Sequence, residues 1–183
     1  VTSIAGATIV TNETELYAAL QKRGTILLGG TILISKPLDL VNVKAGAIVG
    51  LNPASSQIVL DNSIVTDRVI YIDSKNFTID NIKIQGHNES KRQTGLLLGR
   101  NCSGLKVQNC FFETVNYGIL LAGGPTSEIL RDVQIINNKF RDFISGIYCN
   151  WNFQNWTVSF NDVVGDGALY LPDKISKGNS IWL

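Results

Sequence analysis

The sequence predicts an all-β chain, a right-handed parallel β-helix of about six turns opened by a short N-terminal capping α-helix, and two interleaved repeats predict it. One family of segments reads apolar-x-apolar-x-turn: Phe77-Thr-Ile79-Asp-Asn81-Ile-Lys-Ile84, Leu105-Lys-Val107-Gln-Asn109-Cys-Phe-Phe112 and Val133-Gln-Ile135-Ile-Asn137-Asn-Lys-Phe140. Its asparagines step by 28 residues twice, and a weaker copy at Trp156-Thr-Val158-Ser-Phe160 follows after 23 more, with Phe160 in the asparagine slot. Between these copies sits a second family: Val69-Ile-Tyr-Ile72, Gly95-Leu-Leu-Leu98, Gly118-Ile-Leu-Leu121, Gly146-Ile-Tyr-Cys149 and Gly167-Ala-Leu-Tyr-Leu171. Two families at one period of 22–28 residues indicate one solenoid turn per repeat.

Taken from the start, residues 1–24 form the cap and 25–183 the turns of one domain. Asn12-Glu-Thr-Glu15 is a capping signal for a helix over about 13–23, with Leu16, Ala19 and Leu20 on its apolar face and Gly24 as its stop. Everything after Gly24 reads as short strands. Each turn pairs in parallel with the next about 4.8 Å away, so no turn is stable alone. Inward positions should stack into columns such as Ile79/Val107/Ile135/Val158 and Ile84/Phe112/Phe140/Val163, with Trp156 in the core. The bend after the first family's strand needs left-handed backbone geometry, which asparagine tolerates. Stacked asparagines can also hydrogen-bond from turn to turn.

Composition excludes several functions. Of the 183 residues 44% are apolar and 17% charged, with a net charge of +1, so no basic excess exists to grip nucleic acid. The single histidine, His87, rules out a multi-histidine metal site. Cys102, Cys110 and Cys149 lack ligand or redox spacing and read as buried free thiols. No apolar run is long enough to span a bilayer, which needs about 20 residues. The chain opens without methionine, and a longer parent protein stays open as an expectation. Asn-x-Ser/Thr triplets begin at Asn12, Asn76, Asn88, Asn101 and Asn155 and read as turn chemistry.

The segments Thr14-Glu-Leu-Tyr-Ala-Ala-Leu20 and Gly24-Thr-Ile-Leu-Leu-Gly-Gly-Thr-Ile32 look like the capping helix and first turn of the pectate-lyase-like β-helix superfamily. Ala47-Ile-Val-Gly50 and Asn76-Phe-Thr-Ile-Asp-Asn-Ile-Lys-Ile84 look like its second and third turns. The resemblance covers most of the chain at the level of fold, a fold shared by lyases, hydrolases, epimerases and phage tailspikes. It implies that Asn81-type turns join the second and third sheets. It also implies that Gly95-type strands form the first sheet, which carries the substrate cleft in many members.

Strand alternation then sorts the outside. On the second sheet Thr78, Asp80, Lys106, Gln108, Gln134, Thr157 and Ser159 should face water, with Ile136 the exception. On the third, Lys83, Lys139 and Asp162 should, with Phe111 the exception. The first sheet should present Tyr71, Leu97, Leu120, Tyr148 and Tyr170, a ladder of apolar and aromatic side chains. Exposed aromatics suit stacking on sugar rings, whereas the two leucines suit a covered surface, a neighbouring subunit such as a homotrimer or a further segment of chain. Trp151 and Phe153 fall in the turn after a first-sheet strand, as a hydrophobic lid or a sugar platform.

Loops from the third sheet into the first carry charge: Gln85-Gly-His87-Asn-Glu89-Ser-Lys91-Arg92, Glu113, Arg141-Asp142 and Asp162 to Asp166. Carboxylates on adjacent turns would lie about 5 Å apart and those two turns apart about 10 Å, near the separations used by glycosidases. Glu113, Asp142 and Asp166 form a candidate acid/base set, beside the alternative of ordinary solvated charges. A lyase would instead neutralise a uronate carboxylate with calcium or arginine, for which Arg141, Arg92, Lys91 or Arg100 could serve, and remove the adjacent proton. The calcium-binding aspartate cluster of pectate lyases and the Asp-Asp and histidine motifs of polygalacturonases are absent. The sequence also shows no P-loop, GxGxxG or Ser/His/Asp motif.

The expectation carried forward is a polysaccharide-binding module of a phage tailspike-like or cell-surface protein, extracellular or on a virion, with cleavage of the bound polysaccharide left open as a further role. Tyr71, Tyr148, Tyr170, Trp151, Arg92 and Arg100 would bind glycan, Asp142, Asp166, Glu113 and Arg141 would carry chemistry, and no cofactor is expected. A secreted lyase or hydrolase acting on a uronate polymer, and a non-catalytic structural or adhesin β-helix, remain as alternatives.

Overall fold

The computed structural model describes residues 6–52, 54–87, 93–121, 129–141, 145–149, 153–164 and 180–181. An edge strand β1 (Ala7–Val10) leads into helix α1 (Glu13–Leu20). The Asn12 side chain caps α1 by accepting the Glu15 N–H at 3.0 Å, while the Glu15 carboxylate accepts the Thr11 N–H at 2.8 Å. The helix ends at Leu20, short of the expected 23, because the Lys22 N–H turns back to the Ala19 carbonyl and tightens the last turn. Gly24 begins a strand instead of stopping the helix. Its φ is +123°, and a Cβ there would lie 2.4 Å from the Gly6 carbonyl oxygen. Leu16, Ala19 and Leu20 are buried against the first coil, as the apolar face predicts.

Five coils of three strands follow. They are β2 (Gly24–Leu28), β3 (Thr31–Ile34) and β4 (Leu38–Val41); then β5 (Ala45–Gly50), β6 (Gln57–Leu60) and β7 (Arg68–Asp73). The third is β8 (Thr78–Asp80), β9 (Lys83–Gln85) and β10 (Thr94–Leu98); the fourth is β11 (Lys106–Gln108), β12 (Phe111–Glu113) and β13 (Tyr117–Leu121). After the short β14 (Leu130–Arg131) come β15 (Gln134–Ile136), β16 (Lys139–Arg141) and β17 (Ser145–Cys149). Next are β18 (Phe153–Gln154), β19 (Thr157–Ser159), β20 (Asp162–Val164) and β21 (Ser180–Ile181).

All pairings are parallel, and among the described residues they build a parallel β-helix. The second sheet runs β1-β2-β5-β8-β11-β15-β19-β21, the third β3-β6-β9-β12-β16-β20 and the first β4-β7-β10-β13-β17; β14 pairs β18 beside them. The complete coils are slightly fewer than the six expected. The sixth contributes β19 and β20, and its expected first-sheet strand, Gly167–Leu171, lies outside the described residues.

The coil-to-coil register matches the spacing. Ile26, Ile48, Ile79, Val107, Ile135 and Val158 stack as neighbours on the second sheet, all buried. Ile84, Phe112 and Phe140 do so on the third, the two phenyl rings parallel at 4.9 Å between centroids. Trp156 is buried and donates its indole N–H to the Leu130 carbonyl, and the three cysteines are buried as thiols outside any disulfide. Ser159, expected on the wet face, is buried.

Corners explain the polar repeats. Asn81, Asn109, Asn137 and Phe160 all have left-handed φ, between 54° and 58°. Each of the three asparagines sends its backbone N–H to a carbonyl of the next coil: Gln108, Ile136 and Ser159. A second left-handed column, unseen in the sequence, precedes the second-sheet strands: Asn42, Asn76, Gly104, Asp132 and Asn155. The asparagine column is only partly the expected ladder. Asn137 donates to Asn109, but Asn109 donates to Asp80 and Asn81 to the Gly50 carbonyl.

Candidate functional site

The first sheet presents the expected ladder. Asp39, Tyr71, Leu97, Leu120 and Tyr148 are register partners on five successive strands, with the four larger side chains outward and half-buried. Their strand neighbours Ile70, Ile72, Leu96, Leu98, Ile119, Leu121, Ile147 and Cys149 are buried, which fixes the alternation.

Arg68, Thr94, Tyr117 and Ser145 are register partners at the starts of the same strands; Arg68 and Tyr117 are half-buried beside the ladder, and Thr94 between them is buried. The Tyr117 ring meets the Tyr148 ring edge-on at 6.0 Å. The Arg68 guanidinium lies over the Tyr71 ring at 5.3 Å and is held by Asp39 at 3.3 Å and Asp67 at 3.0 Å. Sequence reasoning missed Tyr117 and Arg68 because the repeat was counted from the glycine or valine that follows each of them. Burial, with Asp73 nearby, raises the Tyr71 phenol above its ordinary value. Asp73 accepts the Asn101 backbone N–H at 2.7 Å, which ties down the exit of β10.

The described charged candidates, Glu113, Arg141 and Arg100, do not gather on that face. Glu113 is the last residue of β12 and Arg141 the last of β16; they are strand residues on the outer side of the third sheet, not loop residues. They are direct register partners, yet each is engaged elsewhere. Glu113 pairs with Lys83 at 2.5 Å, and Arg141 pairs with Asp162 at 2.7 Å. Alternation gave their face but not which of several neighbours each would choose. Arg100 is exposed in the turn after β10, at the opposite edge of the first sheet from Arg141. Asp142, Asp166, Arg92, Trp151 and Tyr170 lie outside the described residues.

At the corner between third and first sheets three polar side chains are buried together. Gln93 Oε1 accepts the His87 N–H at 2.7 Å, the Gln93 carbonyl accepts the Asn116 N–H at 2.8 Å, and His87 Nε2 meets the Ile64 carbonyl at 2.7 Å. Among the described residues His87 Nδ1, Gln93 Nε2 and Asn116 Oδ1 make no hydrogen bond. The backbone bonds make this cluster a clasp across three successive corners. Among the described residues no group of three or more histidine, cysteine or acidic side chains is arranged to hold a metal ion.

No family model and no curated protein matches the sequence. Among solved structures the chain is similar to one titled as a PL6 family alginate lyase, AlyGC, with a TM-score of 0.56 at 12% identity. The match covers 86% of this chain and 24% of that protein, so the chain spans about a quarter of its length. At this identity the likeness shows a shared architecture, the parallel β-helix.

Proposed function

We propose that this chain is a polysaccharide-binding β-helix module whose glycan lies along the outer face of the first sheet. The observation that carries the reading is the in-register column Tyr71, Leu97, Leu120 and Tyr148, flanked by Tyr117 and Arg68. Three rung steps give that column a length of about 14 Å. Aromatic faces stack on the apolar faces of sugar rings, and phenol and guanidinium groups hydrogen-bond to their polar edges.

The likeness to an alginate lyase favours a uronate polymer, since alginate carries a carboxylate on every sugar. Arg68 is committed to Asp39 and Asp67, so the cations proposed to meet those carboxylates are Arg100 and Arg92. Cleavage is proposed at the loops from the third sheet into the first, with Asp142 and Asp166 as the acid/base pair. Glu113 and Arg141, at the strand ends that lead into those loops, are proposed as third carboxylate and neutralising cation once substrate draws them from Lys83 and Asp162. The proposed setting is a tailspike-like or cell-surface protein, on a virion or outside the cell. The two leucines inside the ladder favour a second use of the same face, side-by-side packing into a homotrimer.

The test is a titration of the full chain with alginate, polygalacturonate and a neutral glucan, with Tyr71→Ala/Tyr148→Ala as the control. The expected result is tighter binding of a uronate polymer and a loss of about ten-fold or more in the double variant. Undiminished binding in that variant rules out the first-sheet site. Sedimentation of the same samples reads the trimer.

A further inference from the structure

The corner where the second sheet turns into the third carries a groove of about 540 Å³, lined by Ala54, Asn81, Asn109, Phe111, Asn137 and Lys139. Three successive coils turn there in two residues, Asn81-Ile82, Asn109-Cys110 and Asn137-Asn138. The coil before them takes a longer connection between β5 and β6. There the Asn52 carbonyl accepts the N–H groups of Ser55 at 3.0 Å and Ser56 at 2.6 Å, and Ala54 stands at the groove as a ledge.

Phe160 occupies the asparagine position one coil beyond Asn137. It has φ +55° and is 76% exposed. A bulky aromatic residue in left-handed backbone geometry is strained. The three residues beneath it in the column are asparagines, which tolerate that geometry and make side-chain hydrogen bonds that Phe160 cannot. Packing returns little for a ring so exposed. Strain without structural benefit points to use by a ligand.

Phe111 supports the same reading. It is the apolar exception on the outer side of the third sheet, half-buried between its register partners Lys83 and Lys139. Lys83 is neutralised by Glu113, and Asp162, next in the column, by Arg141. That leaves Lys139, exposed and with no ion pair to a described carboxylate, as the cation of the groove.

We infer that this corner is a second carbohydrate-binding site, separate from the first-sheet face, and that it takes a short acidic oligosaccharide. Phe111 and Phe160 stack on sugar faces, Lys139 meets a carboxylate, and the asparagine amides face the ring edges. The floor from Asn81 to Asn137 spans two rung steps, about 10 Å, and Phe160 stands one rung beyond its end in the same column. This rests on the polysaccharide reading but on none of the same residues.

The test uses the full chain, an oligoalginate probe and a neutral cello-oligosaccharide of equal length, with calorimetric titration and thermal unfolding of each variant. Phe160→Asn should weaken binding of both probes about ten-fold while raising Tm, because the strain is relieved and the amide column extended. Lys139→Gln should weaken the acidic probe alone. Unchanged affinity in Phe160→Asn, or a fall in its Tm, overturns the inference. If only Tyr71→Ala/Tyr148→Ala loses binding, the corner site is refuted and the first-sheet reading stands; loss confined to the corner variants does the reverse. A wild-type chain that binds neither probe refutes both.

Discussion

The side-chain amide of Asn137 donates to Oδ1 of Asn109 at 2.7 Å, across 28 residues of chain and one coil of the helix. Immediately inside it runs a second amide column with heavier duties. Asn138 Oδ1 accepts the Cys110 N–H at 2.9 Å, while its Nδ2 donates to the Val107 carbonyl and to Asn161 Oδ1, both at 3.0 Å. Asn138 is fully buried, whereas Asn137 is exposed.

The two neighbours should therefore respond differently to truncation. Asn138→Ala leaves a buried N–H and a buried carbonyl unpaired, which costs about 2–4 kcal/mol in total. Asn137→Ala loses one exposed hydrogen bond and the asparagine's tolerance of φ +55°, at about 1–2 kcal/mol. Urea unfolding of both variants checks the order; a larger loss for Asn137→Ala would contradict it.

The glycines that open the first-sheet strands follow from the phenylalanine stack. A Cβ on Gly118 would lie 2.3 Å from the Phe140 ring and 2.5 Å from the Gly146 carbonyl oxygen, and one on Gly95 would lie 2.9 Å from both the Phe112 ring and the Gly118 carbonyl oxygen, so relieving the ring can restore only part of the room. One coil earlier, where the following coil offers Ile84 instead of phenylalanine, the position is Val69. Gly118→Ala should destabilise by about 1–3 kcal/mol or more through overpacking. Adding Phe140→Leu should recover part of that loss, so the double variant is less destabilised than the two single losses added together. Additive losses would show that the glycine is not there for the ring.

This pair also marks the limit of what the sequence discloses. The 28-residue step exposed the column Asn81, Asn109 and Asn137 because one residue type filled the slot three times. The other left-handed column stayed hidden because Asn42, Asn76, Gly104, Asp132 and Asn155 meet the same backbone demand with three residue types. Alternation placed Tyr71, Leu97, Leu120 and Tyr148 correctly, since burial of one face forces the other outward. It could not place Glu113 against Lys83 rather than Arg141, because all three lie outward on adjacent coils and only side-chain reach decides. The early end of α1 was equally illegible, being set by a backbone bond from Lys22 to Ala19.

The thiols predict an alkaline limb in stability. Burial pushes Cys102 and Cys110 from 9.0 to about 12, and burial, with Glu13 and Asp39 nearby, pushes Tyr17 from 10.0 to about 12. Each folded-state value lies above the unfolded one, so the native chain holds protons that the unfolded chain has released. Their contribution is complete below pH 9 and is lost as pH rises towards 12. Denaturant midpoints should fall across that window and be insensitive to these groups below it. At pH 8 iodoacetamide should leave the native thiols unmodified and label all three cysteines in denaturant.

The proposed chemistry predicts a graded response among the carboxylates. Asp142→Asn and Asp166→Asn should each reduce depolymerisation about 100-fold or more, the usual contribution of a positioned acid or base. Glu113 is already paired with Lys83 on the outer side of the third sheet, so Glu113→Gln should reduce it by about ten-fold or less. The pair is partly exposed, and its loss should change stability by less than about 1 kcal/mol. Initial rates with a uronate polymer, read as new reducing ends beside unsaturated-uronate absorbance, separate hydrolysis from elimination in the same assay. A Glu113→Gln variant more damaged than either aspartate variant would move the acid/base pair onto the third sheet. It would then have to act at the Glu113–Arg141 register contact, where neighbouring coils stand about 4.8 Å apart.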